Sequence, residues 1–238
     1  MAQFLYGKNV VRQLLEDDRE VINIFLVGND AKIEDLAQKK NVEVVKCDKK
    51  KLYSLTKTDN HQGVVAEIED YKLYSLQELL DSVSEGEKGL FVLLDELEDP
   101  HNLGAILRSA DATGVNGVIF KKTNAVGLTP TVAKVSAGAI DTVKCCSVTN
   151  LVRTVEELKD KGYWIVGTDM DAQDYRLVDY DMPMVLVIGN EGKGISRLLK
   201  EKCDFMVSIP MIGKITSLNA SVSAAVLLYE VYNKRFPL

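Results

Sequence analysis

The sequence predicts an α/β protein: a mainly parallel sheet flanked by helices, preceded by a smaller α/β domain. Three observations predict this. Strand-like and helix-like patterns alternate along most of the 238 residues, as expected of parallel strands joined by crossover helices. The run LFVLLD (90–95) is nearly all apolar, which suits a strand covered on both faces. A polar, glycine-flanked stretch, Glu85-Gly86-Glu87-Lys88-Gly89, separates two such alternating series. We place a small domain at 1–72, a linker at 73–88 and a larger domain at 89–238.

In the first domain VVRQLLEDD reads as a helix and INIFLV as a strand. AKIEDLAQKK is a helix, VEVVKC a strand, DKKKLYSLT a short helix and GVVAEIE the closing strand. The linker holds a short helix, SLQELLDSV. In the second domain LFVLLD leads to a helix over Asn102–Thr113, then to the strand GVIFK. TPTVAKVSAGA holds a helix, TVKCCSV a strand, and NLVRTVEELKDKG an amphipathic helix capped by Asn150. YWIVGTD, MVLVIG and FMVSIP are strands, SRLLKEKC is a helix between the last two, and Ser217–Lys234 forms the terminal helix.

Apolar residues make up 46% and charged residues 27%, an ordinary globular balance. The first residues lack the basic-then-apolar layout of a signal peptide, and no apolar run is long enough to span a bilayer. The expectation is a soluble cytoplasmic protein with no membrane partner. Cysteines at 47, 145, 146 and 203 form no C-x-x-C pair, and His61 and His101 lie far apart. No metal site and no disulfide framework is expected, and Cys145 and Cys146 read as core filler on a strand. The net charge of −6 argues mildly against a nucleic-acid partner, since phosphate contacts need Lys and Arg. The imbalance is uneven: residues 1–75 carry 12 basic against 13 acidic side chains. Lys46, Lys49, Lys50, Lys51 and Lys57 could form a basic face, although such a run taken alone is a solvated helix face.

Three motifs carry chemistry. In DELEDPHNLGAILRSADATGV (95–115) a buried strand ends in a polar loop before a helix. Ligands of α/β sheets bind at such carboxyl ends. Asn102 at the helix start and Arg108 can border one pocket if Arg108 reaches back along the helix; otherwise Asn102 is a cap and Arg108 a surface arginine. VIGNEGKGIS (187–196) runs from a strand into a turn with Gly189, Gly192 and Gly194. It fails the Walker A pattern, and Glu191 would repel phosphates. It is either a plain turn or a site for a ligand bearing a cation or hydroxyls. In IPMIGKITSLNASVSAAVLLYE (209–230) Ser217 or Asn219 opens the last helix, whose free N–H groups can serve a ligand. Surplus capping explains one serine there, not four small polar groups. Together these motifs offer Asn102, Arg108, Glu191, Ser217 and Asn219 at one edge of the sheet. There is no nucleophilic Cys, no His–Asp pair and no metal cluster, so the pattern suits positioning of a small cofactor rather than covalent or metal catalysis.

These three motifs, in this order, resemble the SpoU branch of the SPOUT RNA 2′-O-methyltransferases. The resemblance covers roughly 89–238. YGKNVVRQLL and the His61-Gln62-Gly63 signature resemble that family's RNA-recognition domain, so the whole chain is similar to its bacterial ribosomal RNA guanosine 2′-O-methyltransferases. The resemblance implies a deep C-terminal trefoil knot, S-adenosylmethionine as cofactor, an RNA substrate and a homodimer whose sites the partner completes. It implies cofactor contacts at Thr168, Gly189, Asn190, Gly194, Ile209, Met211, Ser217 and Leu218, and RNA contacts at His61, Gln62, Lys49, Lys50 and Lys51. Arg108 would orient and stabilise the reacting 2′-oxygen with Ser217 beside it. Asn102 and Asn219 would position ribose or phosphate, and Glu191 would fix Arg108 or Asn102. Ser221 and Ser223 remain as small residues for close packing. Ala220, where relatives often carry Val, and Asn190, where some carry Ala, are minor departures. A transfer RNA ribose methyltransferase, a non-catalytic RNA-binding protein and a non-RNA ligand-binding protein are the alternatives.

Overall fold

A computed structural model describes residues 2–16, 20–215 and 217–238. The expected helix VVRQLLEDD runs at its end into residues outside that set. The chain divides into two compact units after Asp70.

Unit 1 is a four-stranded sheet in the order β1-β4-β2-β3, with β1 over Ala2–Tyr6, β2 over Val21–Leu26, β3 over Glu43–Lys46 and β4 over Val64–Glu69. β4 runs antiparallel to both neighbours, and β2 and β3 are parallel. β1 was not anticipated. Its segment carries the Tyr-Gly-Lys start of the next helix, and Gly7 makes that transition at φ +97°, a conformation open to glycine. Helices α1 (Lys8–Glu16), α2 (Ala31–Lys39) and α3 (Lys49–Thr56) follow. The core joins Val11, Leu14 and Leu15 to Ile24, Leu26, Ile33, Val64, Ala66 and Ile68.

Asp30 ties this unit together. Its side chain caps α2 by accepting from Ile33 N and accepts charge from Lys8 at 3.0 Å and Arg12 at 3.3 Å. Lys8, then the Ile33 amide and Arg12, hold its carboxyl below the usual range against the opposing pull of burial. A depressed folded pKa gives stability that is present above the unfolded value and is lost as pH falls through the folded one. Asp30→Asn is therefore expected to destabilise the protein by about 1–3 kcal/mol at pH 7. It should also flatten the acid limb of the stability curve, as read by urea unfolding between pH 3 and 7.

Unit 2 is a six-stranded, fully parallel sheet in the order β10-β8-β9-β5-β6-β7. Its strands are β5 (Leu90–Leu94), β6 (Gly117–Lys121), β7 (Cys145–Val148), β8 (Trp164–Asp174), β9 (Met184–Ile188) and β10 (Phe205–Ser208). β5 and β9 are buried along their whole length, as their unbroken apolar runs require. The faces are covered by α4 (Leu76–Asp81), α5 (Pro100–Ala112), α6 (Pro130–Ser136), α7 (Ala139–Thr142), α8 (Leu151–Asp160), α9 (Arg197–Lys200) and α10 (Ala220–Arg235). Two separate clusters form the core, one on each face.

The segment 73–88, expected as a linker, is built into unit 2. Ser75 and Glu78 form a capping box, and Leu79 packs where Gly117 leaves room, since a Cβ on Gly117 would lie 2.7 Å from Leu79 Cδ2. The expected strand TVKCCSV begins only at Cys145, because Thr142 ends α7. TPTVAKVSAGA is two helices, broken where Ala137 and Gly138 both turn to positive φ. α9 ends after one turn instead of running to Cys203. Cys145 and Cys146 are buried, and burial pushes their thiols up to about 12 and about 11, so they are inert packing.

Candidate active site

The site lies where β5, β9 and β10 end. Asp95, buried at the end of β5, accepts from Ser196 N at 2.7 Å. This pins the far end of the glycine loop to the strand beside it. The sequence signal for Asp95 was a charge directly ending an all-apolar strand, and it was passed over. The next residue, Glu96, sits at φ +53°, a costly conformation for a non-glycine residue. Its carbonyl accepts from Asn190 Nδ2 at 3.1 Å.

Asn190 organises the loop after β9. Its backbone exchanges both hydrogen bonds with Gly194, at 3.1 and 2.8 Å, and its Oδ1 accepts from Gly192 N and Lys193 N. Gly194 takes φ +67°. Gly189 passes so close beneath the returning chain that a Cβ there would stand 2.3 Å from the Gly194 carbonyl carbon. The loop thus presents backbone rather than side chain.

A hydrogen-bonded triad joins all three motifs. Asn102 lies in the first turn of α5, which Asp99 caps, and is itself buried. Its Nδ2 donates to Glu191 Oε1 at 2.5 Å. Asn219 Nδ2 donates to the same oxygen at 2.6 Å and to Asn102 Oδ1 at 3.0 Å. Asn219 also caps α10, its Oδ1 accepting from Ser221 N, Ser221 Oγ and Val222 N. The last helix therefore starts after Asn219, and Ser217 lies in the loop before it. Ser221 spends its hydroxyl on Asn219, which is more than a packing role.

Beside the triad is a cavity of roughly 350 Å³, the low end of small-molecule sites. Among its walls are Thr168, Gly189, Asn190, Glu191, Gly194, Ile209, Met211, Ser217 and Leu218. So the positions read from the sequence as cofactor contacts share one cavity. Ile188, Val207 and Leu227 give it an apolar side, and Ser223 also faces it. Asp169 and Lys200, an ion pair, stand on its wall as well; Lys200 holds the Asp169 carboxyl low. Neither residue was singled out from sequence, because an Asp within β8 and a Lys in a short helix carry no local signal.

Three expected residues lie elsewhere. Arg108 is exposed on α5 and does not line the cavity. Six residues and some 9 Å of rise separate it from Asn102, and the intervening Ile106 and Leu107 take the buried face. His61 is buried, with Nδ1 accepting from Gly63 N at 3.1 Å. It shapes the turn where Gln62 and Gly63 adopt positive φ and is not a surface contact for RNA. Gln62 uses Oε1 to accept from Lys8 N. No group of three or more His, Cys, Asp or Glu side chains that could hold a metal occurs among the described residues, and no described helix is long and apolar enough to cross a membrane.

A parallel α/β sheet with a backbone-lined pocket at its strand ends, beside the Asn102–Glu191–Asn219 cluster, defines a class: proteins that hold a small cofactor next to a polar positioning cluster. The particular family follows from comparison. The SpoU rRNA methylase family matches residues 89–229, and the RNA 2′-O ribose methyltransferase substrate-binding domain matches residues 4–74. YacO of Bacillus subtilis (strain 168), of the TrmH family of tRNA/rRNA methyltransferases, is 48% identical over 99% of this chain and 97% of its own. The SpoU methyltransferase AviRb of Streptomyces viridochromogenes, solved with AdoMet, covers 98% of this chain and 90% of its own at 27% identity and TM-score 0.68. An AdoMet-bound rRNA methyltransferase from Sinorhizobium meliloti covers 97% and 86% at 25% identity and TM-score 0.65.

The chain belongs to the SpoU methylase family and is an RNA ribose 2′-O-methyltransferase that uses S-adenosylmethionine. Its own residues fit that cofactor. The Gly189 cradle leaves no side chain between strand end and ligand, and the apolar wall suits an adenine ring while Ser217 offers a polar partner. When bound, the cofactor supplies the methyl group that the ribose 2′-oxygen receives.

Proposed function

We propose that this protein methylates the 2′-hydroxyl of a guanosine in large-subunit ribosomal RNA, acting as a cytoplasmic homodimer. The observation that carries the ribosomal assignment is the extent of the match. The Sinorhizobium meliloti rRNA enzyme aligns over 97% of this chain, unit 1 included, so the appended domain belongs to the shared architecture. A transfer RNA substrate is the second reading, supported by the mixed tRNA/rRNA description of YacO.

In this reading Asn102 and Asn219, fixed by Glu191, hold the ribose or its phosphate. The cofactor rests against the backbone of Gly189, Ile209 and Leu218, with Thr168 beside it, and Ser217 faces the reacting group. Arg108 orients the 2′-oxygen and stabilises the negative charge it develops. Its place outside this chain's own cavity supports a site completed by the partner subunit. α10 supports the dimer too: with Ala224, Leu227, Leu228 and Val231 buried, it still exposes Val222, Tyr229 and Tyr232, and Phe236 just after it is exposed as well. Exposed aromatic and apolar side chains gathered on one helix are a surface that a partner normally covers. The knot belongs to the same reading, and the strand order supports it, since the chain after β9 crosses to the far edge as β10 before returning as α10.

The test uses S-adenosylmethionine with a labelled methyl group and two unmodified substrates, large-subunit ribosomal RNA and bulk transfer RNA. Label is expected on one guanosine ribose of the ribosomal RNA; label confined to transfer RNA overturns the assignment. Arg108→Lys keeps the charge but not the planar fork and should lower kcat on the order of 100-fold. Near-normal methylation by that variant would refute a geometric role for the guanidinium.

A further inference from the structure

The protein is acidic yet handles RNA, so some surface must offer uncompensated positive charge. Lysines of unit 1 differ sharply in this respect. Lys46 is spent: it pairs with Glu34 and donates to Gly28 O and Asn29 Oδ1. Lys8 pairs with Asp30 and Lys39 with Asp35. Lys51 turns back over the Phe25 ring, 5.9 Å from its centre. Lys49, Lys50 and Lys57 are exposed and make no ion pair among the described residues.

These three lie on one face of α3. At 100° per residue Lys49, Tyr53, Lys57 and Lys50 fall at about 0°, 40°, 80° and 100°. Leu52, at about 300°, is fully buried, while Lys49, Lys50, Tyr53 and Lys57 are each exposed. Lys57 ends the helix in a left-handed conformation, φ +56°. In the middle of this arc stands Tyr53, 49% exposed and in contact with no other ring. Two acids lie nearby, and neither pairs with these lysines among the described residues. Asp48 is occupied as the cap of α3, accepting from Lys51 N at 2.8 Å, and Asp59 lies beyond Lys57.

We infer that the outer face of α3 is an RNA-docking surface on which an unpaired base stacks on Tyr53 while Lys49, Lys50 and Lys57 hold the flanking phosphates. An exposed ring offers its face to any unpaired base, and surrounding ammonium groups track the backbone without reading sequence. The surface takes a single-stranded or looped segment rather than a duplex, whose stacked bases offer no free face. The inference rests on the RNA-methylating reading above and adds where and how the substrate is gripped outside the cofactor site.

The test compares Tyr53→Ala, Tyr53→Phe and the pair Lys49→Gln/Lys50→Gln in the full chain. The probes are the two unmodified RNAs named above, measured by filter binding at several salt concentrations. Tyr53→Ala should weaken binding of the methylated RNA about tenfold and Tyr53→Phe less than about twofold, the stacking face being kept. The lysine pair should shallow the salt slope by about 1.4, at roughly 0.7 per single-strand phosphate contact. KM for RNA should rise in each weakened variant, while kcat at saturating RNA and S-adenosylmethionine affinity stay as in the wild type. RNA binding by the wild type that survives Tyr53→Ala with an unchanged salt slope in the lysine pair overturns this surface alone. A wild-type chain that binds S-adenosylmethionine but neither RNA overturns the functional reading and the surface with it.

Discussion

Glu191→Ala should lower kcat on the order of 100-fold while changing S-adenosylmethionine affinity less than about threefold. One carboxylate oxygen, Glu191 Oε1, accepts from both Asn102 and Asn219. Without it the buried Asn102 amide loses its acceptor, and an orphaned buried donor costs about 1–3 kcal/mol. The side chain must then turn toward another partner or admit water. Asn219 remains at the α10 cap, because its Oδ1 serves that role separately. The helix survives, but the two amides no longer share one orientation. A displacement of an ångström or so at a positioning group is enough for a loss of this size. The cofactor rests chiefly on backbone, so its affinity should hardly move. Glu191→Gln is the discriminating variant. A glutamine carbonyl can accept from both asparagines and should retain activity within about tenfold. If Gln is as inactive as Ala in single-turnover kinetics, the charge of Glu191 matters and the positioning account fails.

Much of the site was legible because it sits where topology puts it. LFVLLD, MVLVIG and FMVSIP could be read as strands from apolar runs alone, and a parallel arrangement brings their carboxyl ends to one edge. Asn102, Glu191 and Asn219 each follow such an end, and they meet. The conformation of Gly189 and Gly194 was legible for a related reason, since glycine is the residue that a tight return of the chain demands. What resisted reading depends on contacts remote in sequence. β1 was missed because its strand character comes from pairing with β4, some sixty residues away. The stretch 73–88 looked like a linker by polarity, but Leu79 fills the gap above Gly117 and Tyr74 bonds to Cys145 O, contacts remote in sequence. His61 carried a polar signature, yet its burial is set by the turn it supports. Arg108 could border the pocket only by reaching back along its helix, and helical geometry turns Ile106 and Leu107 inward and leaves Arg108 outside.

Gly189→Ala should abolish measurable S-adenosylmethionine binding and cost about 2–3 kcal/mol of stability. The added methyl would meet the Gly194 carbonyl carbon at 2.3 Å, Ile195 N at 2.4 Å and Gly194 O at 2.5 Å. All three are backbone atoms, so no side-chain rotation relieves the clash. Relief requires the 190–195 turn to lift. That motion breaks the paired Asn190–Gly194 hydrogen bonds and pulls on Ser196 N, which Asp95 holds from β5. The same motion carries Glu191 away from Asn102 and Asn219, so residual methylation should fall beyond the loss explained by cofactor affinity. Gly192 supplies the control within the same loop. A Cβ there would have only Asn190 Oδ1 within reach, at 3.6 Å, an ordinary contact. Gly192→Ala should therefore bind cofactor within about threefold of the wild type, since any cost comes from backbone freedom alone. Isothermal titration and thermal unfolding on the two variants separate the outcomes. Equal cofactor affinity in both would show that the approach of Gly189 to Gly194 does not shape the pocket.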